Sequence, residues 1–139
     1  MNIKDTLELK VNKYILSLMA ALFFCISPAD AGQNGPDNTV LQFFDASRNG
    51  DVAQMRQLVS GSYYNRRKAV LENNDSYPAF LIDHFHGSTT NIEASIIDDK
   101  NQIAVVTVTT HFPNQSINTS RLVLKKDSNS SWKIVDEKN

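Results

Sequence analysis

Few residues in this chain are of a type and spacing that could do chemistry. Asp83-His84-Phe85-His86 is the densest stretch, and His111 is the remaining histidine. Tyr63, Tyr64 and Tyr77 supply phenols, and Asp83 and Asp98 are the carboxylates nearest in sequence to these groups. General acid–base catalysis needs a His or carboxylate tuned by an apolar wall, with a phenol or acid beside it that donates. His84, Asp83 and His111 are the catalytic candidates on that reading. The plainer reading makes His84 a half-buried packing residue, because Phe80, Leu81 and Phe85 share its helical face. The spacing favours packing. His84 and His86 also form a His-x-His pair. On a strand the two imidazoles would point the same way and could share a metal. On a helix they diverge by roughly 200°, so the helical pattern predicts no metal site and no cofactor.

Arg66-Arg67-Lys68, following Tyr63-Tyr64, pairs basic and aromatic residues as a nucleic-acid surface would. The charge balance speaks against that partner. The 139 residues carry 14 Lys and Arg against 15 Asp and Glu, a net charge of −1, whereas nucleic-acid binders carry a basic excess. The cluster reads as a solvated helix start. One cysteine excludes an internal disulfide framework and a Cys-rich zinc site.

The elements that must position these residues run helices first, strands after. Pro36 suits a first helical turn, where its missing N–H has no partner anyway. Val40, Phe43, Phe44 and Ser47 follow at helical spacing, and Asn49-Gly50 closes that helix. Asp51 and Gln54 form a capping-box pattern for a second helix with Val52, Met55, Leu58 and Val59 as its stripe. Ser60-Gly61-Ser62 reads as its end, Tyr63-Tyr64-Asn65 as a lead-in, and 66–72 as a short helix. Ser76 can cap a last helix with Pro78 in its first turn. Tyr77, Phe80, Leu81, His84 and Phe85 then share one face. From Ser88 the apolar period becomes two. Ile92, Ala94 and Ile96 alternate with polar neighbours, and 103–112, 117–126 and 132–136 follow as strands with short turns. Short connections pair the strands as an antiparallel meander, so the expected class is α+β: N-terminal helices packed on a four-stranded antiparallel sheet.

Two stretches carry a family resemblance. One is Thr39-Val40-Leu41-Gln42-Phe43-Phe44-Asp45-Ala46 with Asn49-Gly50-Asp51, Met55 and Leu58. The other is Leu122-Val123-Leu124-Lys125-Lys126 with Trp132-Lys133-Ile134-Val135. Together they resemble the nuclear transport factor 2-like superfamily, which includes ketosteroid isomerases and SnoaL-like cyclases. The resemblance runs from Pro36 to Glu137. It implies a curved, cone-like sheet around helices, with a pocket whose lining is expected to include Phe44, Tyr63, Tyr77, Phe80, His84 and Trp132. The chain is shorter than the enzymes of that group and leaves little room for the hairpin they carry between the second and third helices. No catalytic position of the family is carried over.

The first 31 residues read as a signal peptide. Lys4, Lys10 and Lys13 precede an apolar core over 15–26, and Ala29-Asp30-Ala31 has the small-x-small form of a cleavage site. The core is shorter than the ~20 residues of a spanning helix, so cleavage is expected and a retained anchor is not. Phe23 and Phe24 before Cys25 exclude a lipoprotein signal. Cleavage after Ala31 removes three charges of each sign and the cysteine, leaving the net charge unchanged. A lead-in over 32–38 and a single domain over 39–139 are expected. Asn-x-Ser/Thr sequons such as Asn74-Asp75-Ser76 read as idle in a bacterial chain.

The function expected from these features is that of an exported, periplasmic or secreted, non-catalytic binding module for a small apolar ligand or a protein partner. The alternative is a small pocket isomerase, cyclase or hydrolase. An open sheet face built from Ile103 and Val105 would suit a homodimer.

Overall fold

The computed structural model describes residues 35–138. The expected signal peptide 1–31, and 32–34 of the expected lead-in, lie outside the described residues. Helix α1 spans Pro36–Asn49, α2 Val52–Leu58, α3 Gly61–Asn73 and α4 Tyr77–Phe85. Strands β1 Thr89–Asp98, β2 Ile103–His111, β3 Ile117–Lys126 and β4 Trp132–Lys138 follow. They pair antiparallel in the order β1-β2-β3-β4 to give a curved, unclosed sheet. The α+β class is as read from the sequence.

Local chemistry accounts for the helix ends. Pro36 opens α1, so 36–38 are helical and not lead-in. Gly50 ends α1 with φ 66°. Its N–H donates to the Ser47 carbonyl at 3.2 Å, and the Asp51 N–H donates to the Ala46 carbonyl at 2.8 Å, the pair of hydrogen bonds of a left-handed helix cap. Asp51 then accepts from the Gln54 N–H at 2.9 Å. This is half a capping box, because the Asp51 N–H is already held by Ala46.

Two helix starts differ from the sequence reading. Gly61 does not end a helix; it begins α3, with φ 57°. Val59 forms a parallel bridge to Ile134, and the Ser60 N–H donates to the Ile134 carbonyl at 2.9 Å. The chain must turn sharply from that bridge into the helix, and glycine permits it. Tyr63 is therefore helical. At α4 the Ser76 hydroxyl makes no cap; it donates to Asn74 Oδ1 at 2.7 Å.

The inward sheet face presents Ala104, Val106, Val108, Leu122, Leu124, Trp132 and Ile134, all buried. They pack on Val40, Phe43, Phe44, Met55, Tyr63 and Leu81 of the helices. Two β-bulges interrupt the alternation. The register of β1 on β2 shifts between Ile92 and Ala94. Ile92 faces inward opposite Val108, but Ile96 faces outward opposite Val105 and is 71% exposed. The expected common face of Ile92, Ala94 and Ile96 is thus broken by one inserted residue, Glu93. The second shift lies in β4 opposite Val123 and Leu124. Ile134 pairs with Leu124 and Asp136 with Val123, so Val135 is the extra residue.

Candidate functional site

The concave side of the sheet and the helices line a half-open cavity of about 140 Å³. Phe43, Phe44, Met55, Leu81, Phe85 and Leu122 form its apolar part. The aromatic rings interlock edge to face. Phe43 meets Phe44 at 5.7 Å and Tyr63 at 5.8 Å, and Phe44 meets Phe85 at 6.1 Å. Ser47 also lines the cavity, but its hydroxyl is spent on the Phe43 carbonyl at 2.8 Å.

The polar part comes from four elements: Tyr63 and Arg67 of α3, Tyr77 of α4, Asn118 and Ser120 of β3, and Glu137 of β4. Arg67 Nη2 donates to Glu137 Oε2 at 3.1 Å, and Ser120 Oγ donates to Glu137 Oε1 at 2.9 Å. The Arg67 guanidinium also sits 4.0 Å from the centre of the Tyr63 ring, a cation–π contact. Beside this pair Arg66 Nη2 donates to Asp136 Oδ1 at 2.7 Å. The dipeptides Arg66-Arg67 and Asp136-Glu137 thus tie α3 to the last strand.

Burial pushes the Tyr63 hydroxyl well above the ordinary tyrosine range, and the Arg67 charge offsets only part of that. Burial also raises Tyr77. Both phenols are held protonated, as hydrogen-bond donors and not as bases. Both oxygens of Glu137 already accept bonds from Arg67 and Ser120, one from each. The site therefore offers an apolar floor, protonated phenols and a satisfied ion pair.

Of the six residues that the resemblance implies for a pocket lining, three lie at this cavity. Phe44, Tyr63 and Tyr77 line the cavity. Phe80 and His84 lie outside it. Phe80 is 57% exposed and stacks between Tyr77, at 6.1 Å, and His84, at 5.5 Å. The buried line of α4 runs through Tyr77, Leu81 and Phe85, four residues apart, and leaves the i+3 positions on the solvent flank. His84 is exposed rather than half-buried, with its ring 5.3 Å from Phe112 at the end of β2. Asp83 and His111 are exposed too, and neither lines the cavity. Trp132 is buried at another cleft, formed with α1, α2 and the β3–β4 hairpin.

Arg67, Asn118, Ser120 and Glu137 were missed. Glu137 lies beyond the strand end expected at Asp136, and strict alternation from Trp132 and Ile134 would have turned Asp136 inward. The Val135 bulge reverses that and sets Glu137 opposite Leu122 on the inner face. The signal available in the sequence was the match of the basic dipeptide at 66–67 to the acidic one at 136–137.

The chain matches no protein-family model and no curated protein. Its architecture matches solved structures. A Campylobacter jejuni protein provisionally identified as an NTF2-like transpeptidase superposes with a TM-score of 0.56 at 17% identity, covering 73% of this chain and 98% of that one. An NTF2-like protein of unknown function from Shewanella baltica gives 0.52 at 14% identity, covering 73% and 86%. A protein from Shewanella frigidimarina, provisionally identified as a ketosteroid isomerase, gives 0.50 at 21% identity, covering 76% and 95%. This chain has the nuclear transport factor 2-like fold. At these identities the likeness extends to the fold and no further, since one fold hosts many functions.

Proposed function

We propose that this chain is an exported, non-catalytic binding module whose concave pocket takes a small, largely apolar ligand with one polar group. The observation that carries the reading is the cavity of about 140 Å³ with an aromatic floor and protonated phenols at its wall. That volume is of the order of one benzene-sized ring, and the wall of Arg67, Asn118, Ser120 and Glu137 meets the ligand's polar group. The absence of catalysis is supported by Glu137, whose two oxygens are both engaged, one by Arg67 and one by Ser120. Export is supported by the apolar core over 15–26 and by Ala29-Asp30-Ala31.

Titration with p-cresol, followed by NMR, tests the pocket. The Met55 methyl and Tyr63 ring signals should shift and saturate together, while the Trp132 indole stays still. No saturable shift at Met55, or turnover of an enolisable ketone lost on Glu137→Gln, would sink the reading.

The outer sheet face supports a second copy as partner. Ile96 is 71% exposed there, opposite half-buried Val105, which in turn pairs with Val123. An apolar strip of this kind is covered at low cost by its own copy. Sedimentation should give a dimer that Ile96→Glu converts to monomer. A wild-type chain that sediments as a monomer refutes this part.

A further inference from the structure

The cleft at the opposite end of the helices from Tyr77 is larger than the concave pocket, about 420 Å³. Gln42 of α1, Gln57 of α2 and Asn129, Ser130 and Ser131 of the β3–β4 hairpin wall it, over Leu58 and buried Trp132. Its walls are tied together. Lys133 Nζ donates to the Gln57 carbonyl at 2.5 Å and lies 3.8 Å from Asp127 Oδ2. Asp127 Oδ1 accepts the N–H groups of Asn129 and Ser131 at 2.9 and 3.0 Å. The parallel bridge of Val59 to Ile134 fixes the end of α2 against β4. The cleft is therefore formed before any ligand arrives, which lowers the entropy lost on binding.

The same bonds decide what it can hold. The loop N–H groups and the Lys133 ammonium, which would attract an anion, are already engaged by the Asp127 carboxylate or the Gln57 carbonyl. What remains is neutral. Among the described residues, the carboxamides of Gln42, Gln57 and Asn129 have no protein hydrogen-bond partner. Carboxamides and serine hydroxyls each both donate and accept, and so does every hydroxyl of a sugar ring. A peptide backbone instead offers single donors and acceptors in a line, which a strand edge meets better than scattered side chains do. We propose that this cleft is a second binding site, taking a neutral oligosaccharide of two or three rings over the Leu58–Trp132 floor.

The probes are tri-N-acetylchitotriose and maltotriose, with a blocked trialanine amide as the peptide comparison. Each is titrated into the ¹⁵N-labelled protein. Side-chain amides give their own paired signals. A saccharide should shift those of Gln42, Gln57 and Asn129 and the Trp132 indole N–H, and leave Tyr63 and Met55 still. Gln42→Ala and Asn129→Ala should each weaken binding about fivefold, the loss of one ordinary hydrogen bond. Both are exposed, so an unchanged urea midpoint confirms folding; Gln57→Ala is the replacement where it changes. Shifts with the peptide and not the sugars, shifts confined to the concave pocket, or none with either sugar would overturn the proposal. The concave pocket's p-cresol binding is unaffected by any of these results.

Discussion

Replacing Gly50 with alanine tests how α1 and α4 set the width of the concave pocket. Gly50 has φ 66°, and a Cβ there would lie 2.8 Å from the Pro78 carbonyl oxygen and 3.0 Å from two Ile82 carbons. The carbonyl belongs to the backbone of α4 and cannot rotate away. Two costs add. An L-residue in the left-handed region costs about 1–2 kcal/mol, of which about 0.4–1 kcal/mol is offset because alanine restricts the unfolded chain. Forcing α4 outward adds about 1–3 kcal/mol, as overpacking does. Gly61 separates the two terms. It has φ 57°, but a Cβ there meets only Val135, at 3.5 Å, an ordinary contact. Gly61→Ala should therefore cost about 1 kcal/mol and Gly50→Ala about 3 kcal/mol. Urea unfolding followed by fluorescence of Trp132, the single tryptophan, gives both values at constant m. Gly50→Ala should also weaken p-cresol binding, because Tyr77, Leu81 and Phe85 move with α4 away from Phe43 and Phe44. Equal costs for the two variants would refute the argument that this close approach shapes the pocket.

Other outcomes follow from the same geometry. The Tyr63 hydroxyl is raised by burial above the ordinary 10.0, so the folded state keeps a proton that the unfolded chain releases. The Tyr63 contribution to stability should be complete below pH 10.0 and be lost as pH rises beyond it, and Tyr63→Phe should flatten that alkaline limb in a urea-midpoint profile. Asp127 is lowered from 3.8, first by the Ser131 N–H, so its contribution is present above that value and lost as pH falls below it. Asp127→Ala should lower the midpoint at neutral pH and reduce its loss between about pH 5 and pH 2; an unchanged acid limb contradicts this. Mass spectrometry of the protein recovered outside the cytoplasm should give the mass of residues 32–139, and an intact N-terminus there would exclude cleavage after Ala31.

What sequence alone determined about this protein is the order and type of its elements. The 3.6-residue spacing through Phe43, Phe44 and Ser47, the Asn49-Gly50-Asp51 punctuation and the β-branched run at 103–112 are local signals. They act through caps, turns and side-chain period, which depend on a few neighbouring residues. Phe44 and Tyr77 lie on apolar helix faces that the same signals mark out, whereas Tyr63 reads as lead-in and becomes helical only through the turn at Gly61. Which flank of α4 faces inward was not legible. Tyr77, Phe80, Leu81, His84 and Phe85 form one broad stripe, and only the position of α1 decides that Leu81 is buried and Phe80 is not. Nor could spacing show that Glu93 and Val135 are extra residues. A bulge depends on the partner strand's register, a long-range property, and a single inserted residue reverses the face of all that follow. That reversal is what puts Glu137 beside Arg67 and Ser120, and Ile96 on the outside. The tertiary structure thus decided the polar half of the pocket, and moved the site away from the histidines, which lie exposed at the ends of α4 and β2.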